Sequence, residues 1–359
     1  MAMNILKNRT NLHKQALDRS PGGIAIELAT HCNLACKMCS VWKQRGEELA
    51  HEKVLSLMAE ARALGATGFS TCGTEPFMRE DTPEILAYAE RIGFQEICAV
   101  SNGVLLNKGQ RLEALEKLRK LNIVISLDGP REVHDDLRGK GVYDKAVEAL
   151  REIRRRGITC SISSVIMRQT IDRLEEIVDL AADLGIPVIS MQPYERETAC
   201  LDNDHWQFEF SSEEEETVDK KLRRLMVYAK QKKVSVYTAS MMEFVPAFLA
   251  RGIRRIPPTG CFVPSRLMIV DTAGECYPCF QMRHSMRHKS MGNVHEKTLD
   301  EMWHNDIHRE LTMRGLNRKC PGCLAGCSDV ESFNALSQRG WLSGRPGRMI
   351  RRLVRGLIS

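Results

Sequence analysis

The sequence predicts an α/β protein, with a parallel sheet wrapped by helices and a smaller cysteine-rich unit after it. Three observations carry that prediction. Six apolar, strand-like runs alternate with six helix-period segments across residues 22–232, and repeated strand–helix alternation favours a parallel sheet. Gly65, Gly93, Gly157 and Gly185 stand directly after four of the helical segments, the place of a C-terminal cap. Past about residue 240 the alternation stops, proline and glycine increase, and Cys261, Cys276, Cys279, Cys320, Cys323 and Cys327 appear.

In order, the strand-like runs are 22–28, 68–71, 96–100, 122–127, 158–165 and 187–191. The helical segments are 49–64, 82–92, 108–120, 144–156, 171–184 and 212–232. The expected organisation is an N-terminal extension (1–20), a strand–helix body (21–240), a cysteine-rich domain (241–335) and a basic amphipathic tail (336–359), the boundary after the body falling between 236 and 258. In barrels built from such units, function sits on loops at the C-terminal ends of strands.

Composition narrows the function classes. Hydrophobic content of 43% and charged content of 27% fit a globular chain with a sizeable core. No stretch has the length of a membrane span, and residues 1–20 are polar and basic without an apolar signal-peptide core. Thirteen cysteines in that setting point to a reducing cytoplasm and to metal ligation, not disulfides. The net charge of +6 is local: Arg339, Arg345, Arg348, Arg351, Arg352 and Arg355 lie in an acid-free C-terminus and the rest is neutral, which speaks against nucleic-acid binding.

The first strand-like run leads into Cys32-Asn-Leu-Ala-Cys36-Lys-Met-Cys39. Three thiolates on one tight loop can hold three irons of a cubane cluster, whose full set is four cysteines. The missing fourth ligand leaves one iron open, as in a catalytic rather than a structural metal site. The competing reading is a zinc knuckle, for which His31 is the only local fourth ligand.

This motif resembles the signature of the radical S-adenosylmethionine (SAM) enzymes. The resemblance implies a partial (β/α)6 TIM-like barrel, for which six strand–helix units suffice. It also implies a 4Fe–4S cluster whose open iron chelates SAM, so that one electron releases a 5′-deoxyadenosyl radical. Gly73-Thr74-Glu75-Pro76 resembles the family's Gly-Gly-Glu-Pro segment, whose backbone contacts the SAM amino group, with Thr74 in place of the second glycine; Glu75 is a candidate acceptor from that ammonium, preferred to its plainer reading as an acid at a helix N-terminus. Ser101-Asn102-Gly103 and Ser126-Leu127-Asp128-Gly129 resemble pocket-lining segments, Ser126 and Asp128 being placed for ribose or substrate, although turn chemistry also explains them. Arg138 resembles an arginine that pairs with the SAM carboxylate, against a surface salt bridge with Asp135 or Asp136. Gln192 and Tyr194 follow the sixth strand and are candidates to face adenosine or substrate.

The stretch from Cys261 through Gly274, Cys276, Cys279, Gly292-Asn-Val, Leu299-x3-Trp303 and Cys320-x2-Cys323-x3-Cys327 resembles the SPASM/Twitch extension of the same family. One auxiliary 4Fe–4S cluster takes four thiolates. The preferred set is Cys261, Cys279, Cys320 and Cys323, with Cys276 and Cys327 as spares or as ligands of a second cluster; a zinc ribbon is the plainer alternative. Cys72, Cys98 and Cys160 read as buried strand residues. Cys200, in a polar loop, is a candidate hydrogen-atom donor.

The resemblance implies hydrogen-atom abstraction, with an auxiliary cluster assisting oxidation or epimerisation, and electrons from a flavodoxin- or ferredoxin-type donor. The first strand begins near Gly22, leaving no room before it for a winged peptide-recognition domain. That favours a small molecule such as a sugar or cyclitol over a peptide substrate; an electron carrier or cluster scaffold is the non-enzyme alternative. In the tail, Met349, Ile350, Leu353, Val354, Leu357 and Ile358 recur at helical spacing among arginines. They fit a helix docked on the barrel, or peripheral contact with the inner face of an anionic membrane.

Overall fold

The computed structural model describes residues 19–196, 205–256, 260–284, 290–320 and 322–324. Cys200, Cys327 and the basic tail lie outside them. Six strands follow the expected runs closely: β1 Gly23–Ile26, β2 Gly68–Thr71, β3 Glu96–Ser101, β4 Leu121–Ser126, β5 Thr159–Ile166 and β6 Val188–Pro193. Among the described residues the helices are α1 His51–Ala63, α2 Thr82–Arg91, α3 Arg111–Leu115, α4 Arg131–Arg138, α5 Val142–Arg155, α6 Leu174–Asp183, α7 Glu215–Gln231, α8 Val245–Arg251, α9 Phe280–His284, α10 Leu299–Trp303 and α11 Asp306–Leu316. The segment 108–120 is helical only over α3.

The cap glycines work as a set. Gly65, Gly93, Gly157 and Gly185 have φ between 64° and 100°. After each, the next N–H returns to a carbonyl five residues back: Ala66 to Ala61, Phe94 to Ala89, Ile158 to Ile153 and Ile186 to Ala181. These are Schellman closures. The donor is in every case a buried apolar residue, so one turn both ends the helix and starts the next strand in the core. Lys233 makes the same turn at φ 60°, with Val234 bonded to Ala229, and leads into a short seventh strand, β7 (Ser235–Val236).

Strands β1 to β7 are all parallel and in sequence order. The sequence pattern did not show the strand on the other side. β8 (Leu267–Val270) pairs parallel to β1, with Gly23 opposite Leu267 and Ile26 opposite Val270. β9 (Glu275–Tyr277) and β10 (Gly292–Asn293) then continue the sheet antiparallel. The cysteine-rich segment thus grows out of the barrel's own sheet.

Strand side chains alternate between two faces. Ile97, Ala99, Ile123, Ile125, Ile162, Ile189 and Met191 are buried, in one core cluster with the helices' apolar residues. The intervening residues, Glu96, Cys98, Val100, Asn122, Val124, Ser126, Ser161, Ser163, Val165, Val188, Ser190 and Gln192, are partly exposed and line the concave face. Among the described residues no helix is long and apolar enough to cross a membrane.

The two faces of β4 should respond differently to truncation. Ile125→Ala, on the helix side, is expected to cost about 2–5 kcal/mol, and Val124→Ala, on the concave side, about 1 kcal/mol or less. Anaerobic urea titration of the two variants checks this; equal costs would contradict the assignment of faces.

Candidate functional site

The loop after β1 carries Cys32, Cys36 and Cys39; three neighbouring elements pin it, and one bond closes it internally. Thr74 Oγ1, past β2, donates to the Ala29 carbonyl at 2.5 Å. Asn102 Nδ2, past β3, donates to Asn33 Oδ1 at 2.8 Å and lies 3.6 Å from Cys32 Sγ. Lys37 N–H donates to the Leu137 carbonyl in α4 at 2.8 Å. Trp42 Nε1 donates to the Cys39 carbonyl at 2.9 Å. Cys32 and Cys39 lie close enough to Cys36 to raise its proton affinity, and Cys39 raises that of Cys32. Burial is the larger cause and pushes Cys36 up to about 11.

Glu75 organises the floor beneath the loop. It is 2% exposed. Its carboxylate accepts from Asn102 N–H at 2.7 Å, Ser101 Oγ at 2.9 Å and Phe77 N–H at 3.2 Å. Its free oxygens are therefore used within the protein, and as a helix-start acid it caps the turn at Pro76–Met78. Gly73 has φ +80°, and a Cβ there would run into the Glu27 side chain, so glycine is required. Ser101 is buried and bonded to Glu75.

Arg138 does not pair with Asp135 or Asp136. Its Nε donates to Asp128 Oδ2 at 2.6 Å. Asp135 instead accepts from Gly141 and Tyr143 N–H groups, and Asp136 pairs with Lys37. The Arg138 guanidinium is buried beside Cys36 and Cys39, and its charge lowers their proton affinity. Asp128 is fully buried, its other oxygen accepting from Val165 N–H at 2.9 Å. Both of its oxygens are thus engaged within the protein, and it brackets Arg138. Ser126 and Gln192 sit on the concave face, apart from these bonds. Tyr194 is buried against Phe208.

His134 and Glu27 escaped the sequence reading. His134 Nδ1 accepts from Asp128 N–H at 3.1 Å, and burial holds the ring neutral, its pKa lowered to about 4. Glu27, one residue past β1, is buried and paired with Arg283 of α9. An acid inside the apolar run 22–28 was the available signal.

In the C-terminal segment, Cys261 and Cys279 share a small apolar cluster with Val263, Met282 and Leu311, and Cys320 raises the proton affinity of Cys279. Cys261 N–H donates to the Gly315 carbonyl. Cys276 is placed elsewhere: fully buried, it belongs to the main core with Met291 and Met302, as the inward-facing middle residue of β9, whereas Cys279 lies beyond the strand's end. Cys72 stands one residue past β2, not within it, while Cys98 and Cys160 lie in strands. Among the described residues, no three His, Cys, Asp or Glu side chains converge on a single metal-ion position.

A family model described as the radical SAM superfamily matches residues 26–181, and one described as an iron–sulfur cluster-binding SPASM domain matches 261–327. The chain belongs to the radical SAM superfamily. Fe-coproporphyrin III synthase of Methanosarcina barkeri is 27% identical over 315 residues, covering 83% of this chain and 77% of the relative. PqqA peptide cyclase of Streptomyces rochei is 31% identical over 176 residues, 48% of each chain. Among solved structures, SuiB of Streptococcus suis, crystallised with its precursor peptide SuiA, shares the fold at TM-score 0.67 and 18% identity, covering 85% of this chain and 70% of SuiB.

The chain is therefore a radical SAM enzyme with a SPASM domain, using SAM and 4Fe–4S clusters. The donor set on the first loop fits such a cluster: three gathered thiols, with a buried guanidinium beside two of them to offset negative charge.

Glu75 gives a pH signature. Burial raises its pKa from 4.5 to about 7. An acid shifted this way contributes stability that is complete below the unfolded value and lost as pH rises through about 7. Glu75→Gln should flatten the stability profile of the cluster-free protein between about pH 5 and 7. Thermal unfolding at each pH checks it, and identical slopes for the two proteins would contradict it.

Proposed function

We propose that this radical SAM enzyme modifies a peptide. Cys32, Cys36 and Cys39 hold the SAM-binding cluster in this reading, and Cys261, Cys279, Cys320 and Cys323 hold an auxiliary one. The chemistry supplied at the first site is a 5′-deoxyadenosyl radical that takes a hydrogen atom from the substrate. The protein's own residues do the rest. Arg138, held by Asp128, keeps a positive charge beside the thiolates and within reach of a carboxylate. Gly73 and Thr74 present backbone to the amino group of SAM, while Asn102 fixes the loop's height over the sheet.

The observation that carries the substrate class is the concave face. From β3 to β6 its one charged strand residue among those described is Glu96, at the N-terminal start of β3; beyond it the face bears Val100, Val124, Ser126, Ser161, Ser163, Val165, Ser190 and Gln192, with neither a carboxylate nor a cation towards the cysteine loop. At its rim Glu27 pairs with Arg283, Asp128 with Arg138, and Glu195, two residues past β6, with Arg254. Hydroxyl and amide groups between apolar ones suit a peptide backbone, which needs hydrogen bonds and no counter-charge. The similarity to a peptide cyclase supports this reading over the sugar or cyclitol expected from sequence. A carboxylate-bearing macrocycle is the second reading, favoured by the long match to the coproporphyrin enzyme; it requires unpaired cations on the substrate's path.

Incubation with reductant and SAM, using candidate precursor peptides or porphyrins deuterated at their side chains, separates the two. Deuterium in 5′-deoxyadenosine from peptide alone supports the proposal, and transfer from porphyrin alone overturns it. Cys36→Ala should abolish SAM cleavage, measured as 5′-deoxyadenosine. Cys279→Ala should lower iron from about eight per chain towards four, whereas Cys276→Ala should leave it unchanged.

A further inference from the structure

Helix α9 starts directly after Cys279 and is fastened to both lips of the barrel mouth. At one lip Arg283 donates through Nη1 to Glu27 Oε1, just past β1. At the other, Gln281 Nε2 donates to Glu195 Oε2, two residues past β6. Glu195 is also held by Arg254 at 2.7 Å, and Arg254 Nη1 lies 3.3 Å from the Gly322 carbonyl, between Cys320 and Cys323. The two anchoring strands are separated in the sheet by β2 to β5. The Arg283 N–H reaches the carbonyl of Cys279 at 3.3 Å, and Asp271 Oδ2 and the Tyr277 ring complete the box around its guanidinium.

The lip at β1 differs from the lip at β6 in one respect. The Glu27 carboxyl fills the space that a side chain at residue 73 would need, so the left-handed turn at Gly73 rests directly on it. Gly73 opens the segment assigned above to the amino group of SAM. A displacement of that turn is passed to Glu27 by contact, from Glu27 to Arg283 by an ion pair, and from Arg283 to the Cys279 backbone by a hydrogen bond. Packed, hydrogen-bonded chains of this kind carry coupling between sites.

We infer that Glu27 and Arg283 are positioning residues that link occupancy of the SAM site to the auxiliary cluster, whatever the substrate. Linkage is reciprocal. If reduction of the auxiliary cluster changes affinity at the SAM site about fivefold, occupancy must move the cluster's potential by about 40 mV, at about 59 mV per tenfold for one electron. The inference rests on Cys279 as an auxiliary ligand, which the iron count of Cys279→Ala tests separately.

The test is a spectroelectrochemical titration of the reconstituted enzyme with and without S-adenosylhomocysteine, which keeps the amino and carboxylate groups but is not cleaved. The wild type should show the shift in its auxiliary signal. Glu27→Gln and Arg283→Gln should lose it while keeping full iron content, and Arg283→Lys should recover part of it. Glu195→Gln, at the lip that does not touch Gly73, should retain it. No shift in the wild type, or an undiminished shift in Glu27→Gln, overturns the inference. Equal loss in Glu195→Gln also overturns it, since general loosening of α9 would then explain the effect. Should Arg283→Gln fail to fold, the Glu27 and Glu195 variants decide alone.

Discussion

Glu75 is removed from water, yet it accepts hydrogen bonds from the segments after β2 and β3 at once, and most of the site's geometry depends on that. A carboxylate in such a place is expensive unless each oxygen is satisfied. Here Phe77, Ser101 and Asn102 supply the donors. Asn102 is thereby fixed at both ends, with its backbone on Glu75 and its amide on Asn33 of the cysteine loop. The loop's position over the sheet is thus set by a polar network with little slack, and such networks specify one arrangement because their half-made forms are costly.

Much of the barrel was legible because its signals are local. A helix of period 3.6, a glycine after it and an apolar run after that are all read within about twenty residues. Lys233 shows the limit: it makes the same left-handed turn as the glycines, and no local rule marks a lysine for it. Helix α4 was missed because Arg-Glu-Val-His-Asp-Asp-Leu-Arg offers two apolar residues and no stripe. β8 was missed because four residues among cysteines look like a loop until β1 is placed beside them.

The site divides along the same line. Cys32, Cys36 and Cys39 announce themselves by spacing. Glu75 and Arg138 were singled out by resemblance, but their partners were not: Arg138 was weighed against its helix neighbours and pairs instead with Asp128 across the strand end. Glu27 and Arg283 are 256 residues apart in sequence, and no spacing rule joins them. Cys276 and Cys279 look alike on paper and separate only when the pleat of β9 turns one inward. Ionic partners depend on tertiary placement, whereas capping and periodicity depend on the backbone alone.

The pairing of β8 with β1 has a consequence for how the chain is made. β1 leaves the ribosome well before β8, and one of its two edges stays bare until residue 270 has emerged. Contacts of such span form late and slowly, and an unpaired apolar edge invites association with other chains meanwhile. The cysteine loop hangs from that same strand. Assembly of the first metal centre on a nascent polypeptide would therefore begin on a scaffold whose flank is still missing, so iron loading and completion of the sheet have to be kept in step.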